Sequence, residues 1–232
     1  MRTLLLVAVT ASLASSAAFA ADPAAAPGPA PAPAVVATGP AGHWSVNTGE
    51  TVSAGRDVVS AELGWPSMTF GYAHGLNDVA DLGVKFDLLY GFEGDSTFSK
   101  LGLGLRVPFR FMALRRERFS IQLHIEPVLH FYPGGHFNGI VFGAPVGGTL
   151  GFQILPELRA ALGIDLNLAL STADNQGVSL LLGPAFGFDL EYLVDKQLLI
   201  GIDTRFGPLI NSAAGGYTDF AFRVYVVAGY RI

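Results

Sequence analysis

Apolar residues alternate with other residues along the chain from about Val79 to the last residue, Ile232. In the final segment every second residue from Phe220 to Ile232 is apolar, and the positions between them include Arg223 and Arg231. Successive side chains of a strand point to opposite faces, so this pattern predicts strands with one apolar and one polar face. Because many consecutive segments share the pattern, the sequence predicts an all-β fold, a closed antiparallel up-and-down transmembrane β-barrel.

The predicted barrel has about ten strands. Eight of them show clear alternation, at about 79–91, 98–112, 118–132, 140–154, 157–170, 178–193, 197–209 and 217–232. Outer-membrane barrels have an even number of strands, so the region before Gly75 must supply two more. Either the chain breaks at Pro66, which cannot donate a ladder hydrogen bond, or residues 58–75 form one strand paired with a strand from 44–53.

The N-terminal 42 residues differ in composition from the rest of the chain. Arg2, the apolar run that follows it and the small residues before Ala20 predict a signal peptide over residues 1–20, cleaved after Ala20 or one residue later. Residues 21–42 are mostly alanine and proline, which cannot bury enough surface to fold. We expect them to form an extended periplasmic linker, followed by the barrel domain over 43–232.

Charge and cysteine content exclude several classes of function. The chain contains no cysteine, which excludes a disulfide scaffold, thiolate chemistry and a lipid-modified N-terminal cysteine. Its formal net charge of −5 argues against a nucleic-acid partner. We expect a monomer surrounded by outer-membrane lipid, with no cofactor.

Two short patterns resemble those of a known group of proteins. Gly64-Trp65-Pro66, then a Gly-x-x-Asp turn at 75–78 and Asp-Leu-Gly at 81–83, resemble a motif of small, mostly uncharacterised bacterial outer-membrane β-barrel proteins with eight to ten strands. The C-terminal strand resembles the signal read by the barrel-assembly machinery, although it ends in Ile232 rather than Phe or Trp. The resemblance implies that machinery as a partner and an outer-membrane location with the linker in the periplasm. It implies no catalytic residues.

Charged residues of both signs lie on the predicted inward face. Because unpaired buried charges are costly, we expect cross-strand ion pairs that fill a narrow lumen. The expected lumen charge network consists of Lys85, Asp87, Lys100, Arg106, Arg110, Glu126, Arg159, Asp165, Asp189, Glu191, Asp203, Arg205, Asp219, Arg223 and Arg231. The expected function is a structural role or passive transport of small solutes.

Two other functions are compatible with the sequence. His124, Glu126 and His130 share one strand face, where His124 and Glu126 would serve as a base and its orienting partner, or His124 and His130 would bind a metal together with His136. A lipid-modifying barrel enzyme is therefore one alternative, but no phosphate loop, nucleophile elbow or zinc signature supports catalysis or a metal site. A soluble secreted β-barrel that binds an apolar ligand is the other, and its apolar face would point inward.

Overall fold

The computed structural model describes residues 44–93, 101–134, 139–173, 177–212 and 217–232. The predicted signal peptide and linker, Lys100 and His136 lie outside these residues. The described strands are β1 (Asp57–Trp65), β2 (Ser67–Asn77), β3 (Ala80–Leu89), β4 (Gly102–Arg106), β5 (Phe109–Arg115), β6 (Phe119–Ile125), β7 (Val128–Tyr132), β8 (Gly139–Gly143), β9 (Val146–Gln153), β10 (Leu158–Ala173), β11 (Gly177–Leu193), β12 (Leu198–Asn211) and β13 (Tyr217–Arg231). No helix in the described part of the chain is both long and apolar enough to span a membrane.

These strands form a closed barrel of ten antiparallel strands. Three barrel strands are interrupted, between β4 and β5, β6 and β7, and β8 and β9, by two residues that include Pro108, Pro127 and Pro145 respectively. Proline lacks the backbone N–H that a strand ladder needs, which explains each interruption. β13 pairs with β1, as Arg231 opposite Val58 shows, and closes the barrel. The predicted all-β fold, a closed antiparallel β-barrel of ten strands, is confirmed.

Pro66 separates the first two strands. β1 and β2 pair antiparallel directly across this residue, with Leu63 opposite Met68. The chain therefore breaks at proline, as the first of the two alternatives expected. The second alternative is wrong, because residues 44–53 form no strand and lie inside the barrel.

Side-chain orientation follows the predicted alternation. Leu103, Ile164 and Ile202 point outward and are 46%, 54% and 45% exposed, whereas Asp87 and Asp189 point inward and are at most 1% exposed. This is the arrangement of a barrel with lipid outside and polar groups within. It is opposite to the orientation that a soluble ligand-binding barrel requires.

The two ends of the barrel differ. We call the end with the tight connections 78–79, 116–118, 154–157 and 194–197 the turn end, and the opposite end the loop end. Both ends have a cluster of buried apolar residues in the lumen. At the turn end the buried cluster comprises Trp44, Val46, Val52, Val58, Leu199, Tyr225 and Val227. At the loop end it comprises Leu89, Tyr132, Val141, Leu181, Leu209 and Ala221.

Candidate functional site: the barrel lumen

Residues 44–53, which we call the inserted segment, occupy the lumen at the turn end. Polar contacts or close approaches join the segment to β2, β3, β5, β6, β9, β10, β11 and β13. Its apolar side chains share a buried cluster with Val58 of β1 and Leu199 of β12. The segment therefore reaches every part of the barrel wall at this end.

Carboxylates of the wall bind the backbone of the inserted segment. The Glu191 carboxylate accepts hydrogen bonds from the backbone N–H of Val46 at 3.0 Å and of Asn47 at 2.7 Å, and from Oγ1 of Thr48 at 2.6 Å. Asp81 accepts one from the backbone N–H of Val52 at 2.6 Å. An irregular segment has no ladder partners, so these contacts replace the hydrogen bonds that its backbone would lose on leaving water.

Glu50 of the inserted segment binds two arginines of the wall. Its Oε2 atom lies 2.8 Å from Nη2 of Arg115, and its Oε1 atom lies 3.0 Å from Nη2 of Arg159. Glu50 is only 4% exposed, so these contacts stabilise its charge where solvent does not. The sequence reasoning did not identify Glu50, because it lies outside every alternating strand.

Glycines make room for the inserted segment in the wall. A Cβ atom at Gly229 would lie 2.8 Å from Cγ2 of Val46, and one at Gly151 would collide with the carbonyl oxygen of Thr48. A Cβ atom at Gly75 would likewise collide with the carbonyl oxygen of Ser53. The wall is thus shaped to accept this backbone.

One group of predicted lumen charges is centred on Arg106. Its guanidinium lies 2.7 Å from Oδ1 of Asp87 and 2.9 Å from Oε1 of Glu126. Beside it, Lys85 lies 2.6 Å from Oε1 of Glu62. The sequence reasoning missed Glu62. This residue lies on β1 two positions from Ser60, which points inward, and this two-residue spacing is the signal that would have found it.

A second group is centred on Arg205. Its guanidinium lies 2.6 Å from Asp189, 2.8 Å from Asp203 and 3.1 Å from Asp165. One cation is thereby shared by three buried carboxylates. Both groups hold different strands together through the interior, as cross-strand ion pairs are expected to do.

The other predicted lumen residues lie elsewhere in the barrel. Arg110 lies 2.8 Å from Asp81, which the sequence reasoning also missed even though it follows the inward pattern of β3. Arg231 lies at the turn end with its guanidinium 6.0 Å from the ring centroid of Trp44. Asp219 is half-buried on β13. Nη1 of Arg223 lies 3.7 Å from Oε1 of Glu93, a further residue that the sequence reasoning missed.

The three candidate catalytic residues point into the lumen but bind separate partners. Nε2 of His124 lies 2.9 Å from Oδ1 of Asp165, and Glu126 binds Arg106. Nε2 of His130 lies 3.7 Å from Oδ2 of Asp87. The structure therefore does not join the three residues in one site. Within the described ranges, no group of three or more histidine and acidic side chains is placed to hold a metal ion.

Two cavities lined by described residues lie between these groups, besides a smaller one of about 10 Å³. The outer cavity, of about 90 Å³, lies toward the loop end, and the inner cavity, of about 70 Å³, lies next to the inserted segment. Arg106, Glu126 and Arg223 line both cavities, so they form the layer between them. Such volumes hold a few water molecules each.

No protein-family model and no curated protein matches this chain. Solved structures similar to it include the attachment invasion locus protein Ail of Yersinia pestis, with 14% identity over 76% of this chain and 99% of that chain and a TM-score of 0.40. The KdgM porin in complex with disordered oligogalacturonate has 11% identity over 75% and 98% of the two chains and a TM-score of 0.40. The outer membrane channel DcaP of Acinetobacter baumannii has 15% identity over 80% and 56%, with a TM-score of 0.32. At this level of identity no activity transfers to the present chain.

Proposed function

We propose that this protein is a bacterial outer-membrane β-barrel that keeps a narrow path for small solutes closed at its periplasmic end. Outer-membrane barrels have short turns on the periplasmic side and longer loops outside, so the turn end is the periplasmic end. The linker 21–42 then lies in the periplasm, immediately before the inserted segment. Assembly through the C-terminal strand β13 and a monomeric state belong to the same proposal.

The observation that carries this proposal is the inserted segment. It crosses the lumen at the turn end and is held there by side chains from strands distributed around the wall. Its withdrawal would open the inner cavity to the periplasm and leave the layer of Arg106, Glu126 and Arg223 as the narrowest part of the lumen. A constriction lined by both signs of charge suits small polar solutes.

Conductance in planar lipid bilayers tests the proposal. Three refolded proteins are compared: the wild type, a variant that lacks residues 44–53, and a matched control that lacks ten residues of the linker 21–42. The wild type and the control are expected to remain closed for most of the recording, and the variant without 44–53 is expected to conduct.

Two outcomes would contradict the proposal. If the wild type conducts as readily as the variant without 44–53, the inserted segment does not close the path. If that variant folds but remains silent, the ion pairs alone fill the lumen and the barrel has a structural role. Folding is checked by heat-dependent mobility on a denaturing gel, and location by fractionation of native cells; release of the protein by osmotic shock would exclude the membrane.

A further inference from the structure

The barrel wall has a notch at the loop end where β1 meets β13. β1 ends at Trp65, which pairs with Val224, and Pro66 turns the chain directly into β2. β13 extends further in this direction, because it pairs with β12 as far as Tyr217 opposite Asn211. Residues 217–223 of β13 therefore project beyond the end of β1.

Residues 90–93, which we call the strap, cover this notch. The backbone N–H groups of Tyr90 and Gly91 donate hydrogen bonds to the carbonyl oxygen of Pro66 at 3.0 and 3.1 Å, and the N–H of Phe222 donates one to that of Glu93 at 3.1 Å. Beneath the strap lies Trp65, whose ring stacks on Phe222 with centroids 6.2 Å apart. Here a four-residue strap and one indole ring replace the continuous strand ladder of the rest of the wall.

The outer cavity lies directly behind the notch. Pro66, Phe92 and Glu93 line both the notch and the cavity. Other parts of the cavity wall are apolar and come from the loop-end cluster, with Leu181 and Leu209 among them. An amphipathic molecule that passes the strap would find apolar walls for its chain in this cavity of about 90 Å³.

Arg223 on the same cavity wall differs from six other basic side chains of the described lumen. Lys85, Arg106, Arg110, Arg115, Arg159 and Arg205 each have a carboxylate oxygen within 3.0 Å. Arg223 has its nearest carboxylate oxygens at 3.7 Å, from Glu93, and 3.8 Å, from Asp165, and its buried Nε atom has no hydrogen-bond partner among the described residues. Its guanidinium thus retains donors for an anionic ligand.

We propose that the notch is a lateral entrance from the membrane and that the outer cavity binds a short-chain amphipathic monocarboxylate. The ligand carboxylate binds Arg223 in place of Glu93, and the aliphatic chain lies against Leu181 and Leu209. Asp87 and Glu126 also line the cavity, where both bind Arg106, at 2.7 and 2.9 Å. This inference goes beyond the proposed function, since it concerns entry from the lipid side and does not require the inserted segment to move.

Binding of pentanoate labelled with ¹³C at its carboxyl carbon tests the site. The linewidth of this carbon is measured by NMR as the refolded protein in zwitterionic micelles is titrated, and labelled pentanamide serves as the neutral probe of the same shape. Pentanoate is expected to bind at least tenfold more tightly than pentanamide. Equal binding of the two, or no binding of pentanoate, would overturn the proposal.

Variants separate the site from general effects on the barrel. Arg223→Gln is expected to weaken pentanoate binding at least tenfold, whereas Arg231→Gln, a matched change at the turn end, leaves it unchanged. Glu93→Gln removes the competing carboxylate from the strap and is expected to tighten binding about threefold. Glu93 is partly exposed and lies in a connection, so its replacement is expected to leave folding intact. Glu93→Gln therefore keeps the test decisive if Arg223→Gln fails to fold. Equal affinities for Glu93→Gln and wild type would contradict the role of Arg223.

The lateral route has its own test. Trp65→Ala widens the notch and is expected to accelerate pentanoate exchange at least threefold, because the indole ring fills the space beneath the strap. Leu181→Trp places a larger side chain in the cavity and is expected to abolish binding. An unchanged exchange rate in Trp65→Ala would contradict entry through the notch.

Discussion

Glu50 holds the inserted segment to two arginines of the wall, so its replacement by glutamine tests what keeps the segment in the lumen. The amide is nearly the same size as the carboxylate but carries no charge. Glu50→Gln therefore weakens the contacts to Arg115 at 2.8 Å and Arg159 at 3.0 Å without opening a cavity. The segment is expected to leave the lumen more often while the ten strands remain paired.

The size of this effect follows from the two contacts. A hydrogen bond to a charged group contributes about 1.5–3 kcal/mol, and Arg115 is partly exposed, so the low end applies to both contacts and their loss costs about 3 kcal/mol. Since about 1.4 kcal/mol corresponds to a tenfold change in a population, the withdrawn state is expected to become about 100-fold more populated.

Cysteine labelling measures that population. The chain contains no cysteine, so Thr51→Cys, at a position that is 1% exposed in the inserted segment, provides a unique reporter. When the segment returns to the lumen faster than the thiol reacts, the rate of labelling by a membrane-impermeant maleimide is proportional to the withdrawn population. Glu50→Gln is expected to increase this rate about 100-fold relative to the reporter variant alone.

Glu62→Gln is the matched control for Glu50→Gln. It removes another buried lumen carboxylate, which binds Lys85 at 2.6 Å and belongs to β1 rather than to the inserted segment. Labelling in this control is expected to stay near the reference rate. If Glu50→Gln also labels at the reference rate, or if both variants accelerate equally, the electrostatic account of segment retention is refuted.

Three further substitutions test the wall, a turn and the outer surface. Gly151→Ala places a methyl group against the carbonyl oxygen of Thr48 and is expected to accelerate labelling of the inserted segment while the heat-dependent gel mobility of the barrel is retained. Asp195, in the exposed turn after β11, accepts two backbone hydrogen bonds that hold its pKa below the ordinary value. The contribution of the Asp195 carboxylate to stability is present above its unfolded pKa and is lost as the pH falls through its lower folded pKa. The urea midpoints of wild type and Asp195→Ala should therefore differ most near neutral pH and converge in acid. A difference that does not change with pH would contradict this. Ile164→Arg places a charge at the outward surface and is expected to lower the free energy of unfolding in phospholipid by about 2–4 kcal/mol, whereas a neutral result in urea titration would argue against lipid contact.

The strands could be predicted from the sequence because their pattern is local. The alternation over 178–193 and 217–232 corresponds to Gly177–Leu193 and Tyr217–Arg231 in the structure. The break at Pro66 was one of two alternatives, and it depends only on the missing proline N–H. These features need no knowledge of distant residues.

The inserted segment could not be predicted in the same way. Its residues have no strand or helix periodicity, and its burial depends on wall residues far away in the chain, such as Glu191, 145 positions after Val46. The long contacts of Arg223 depend likewise on how side chains from several strands pack. The charge of Arg223 predicted that this residue lies in the lumen. It did not predict that its nearest carboxylate oxygens would be as far away as 3.7 and 3.8 Å.

The order of synthesis makes the inserted segment the first part of the described chain to be produced and the last to gain its complete surroundings. Glu191, which binds three of its residues, belongs to a strand near the C-terminus, and the wall is complete only when β13 pairs with β1. Contacts between residues so distant in sequence form slowly because loop closure must precede them. Maturation of this protein therefore ends when β13 pairs with β1, which closes the barrel around the inserted segment.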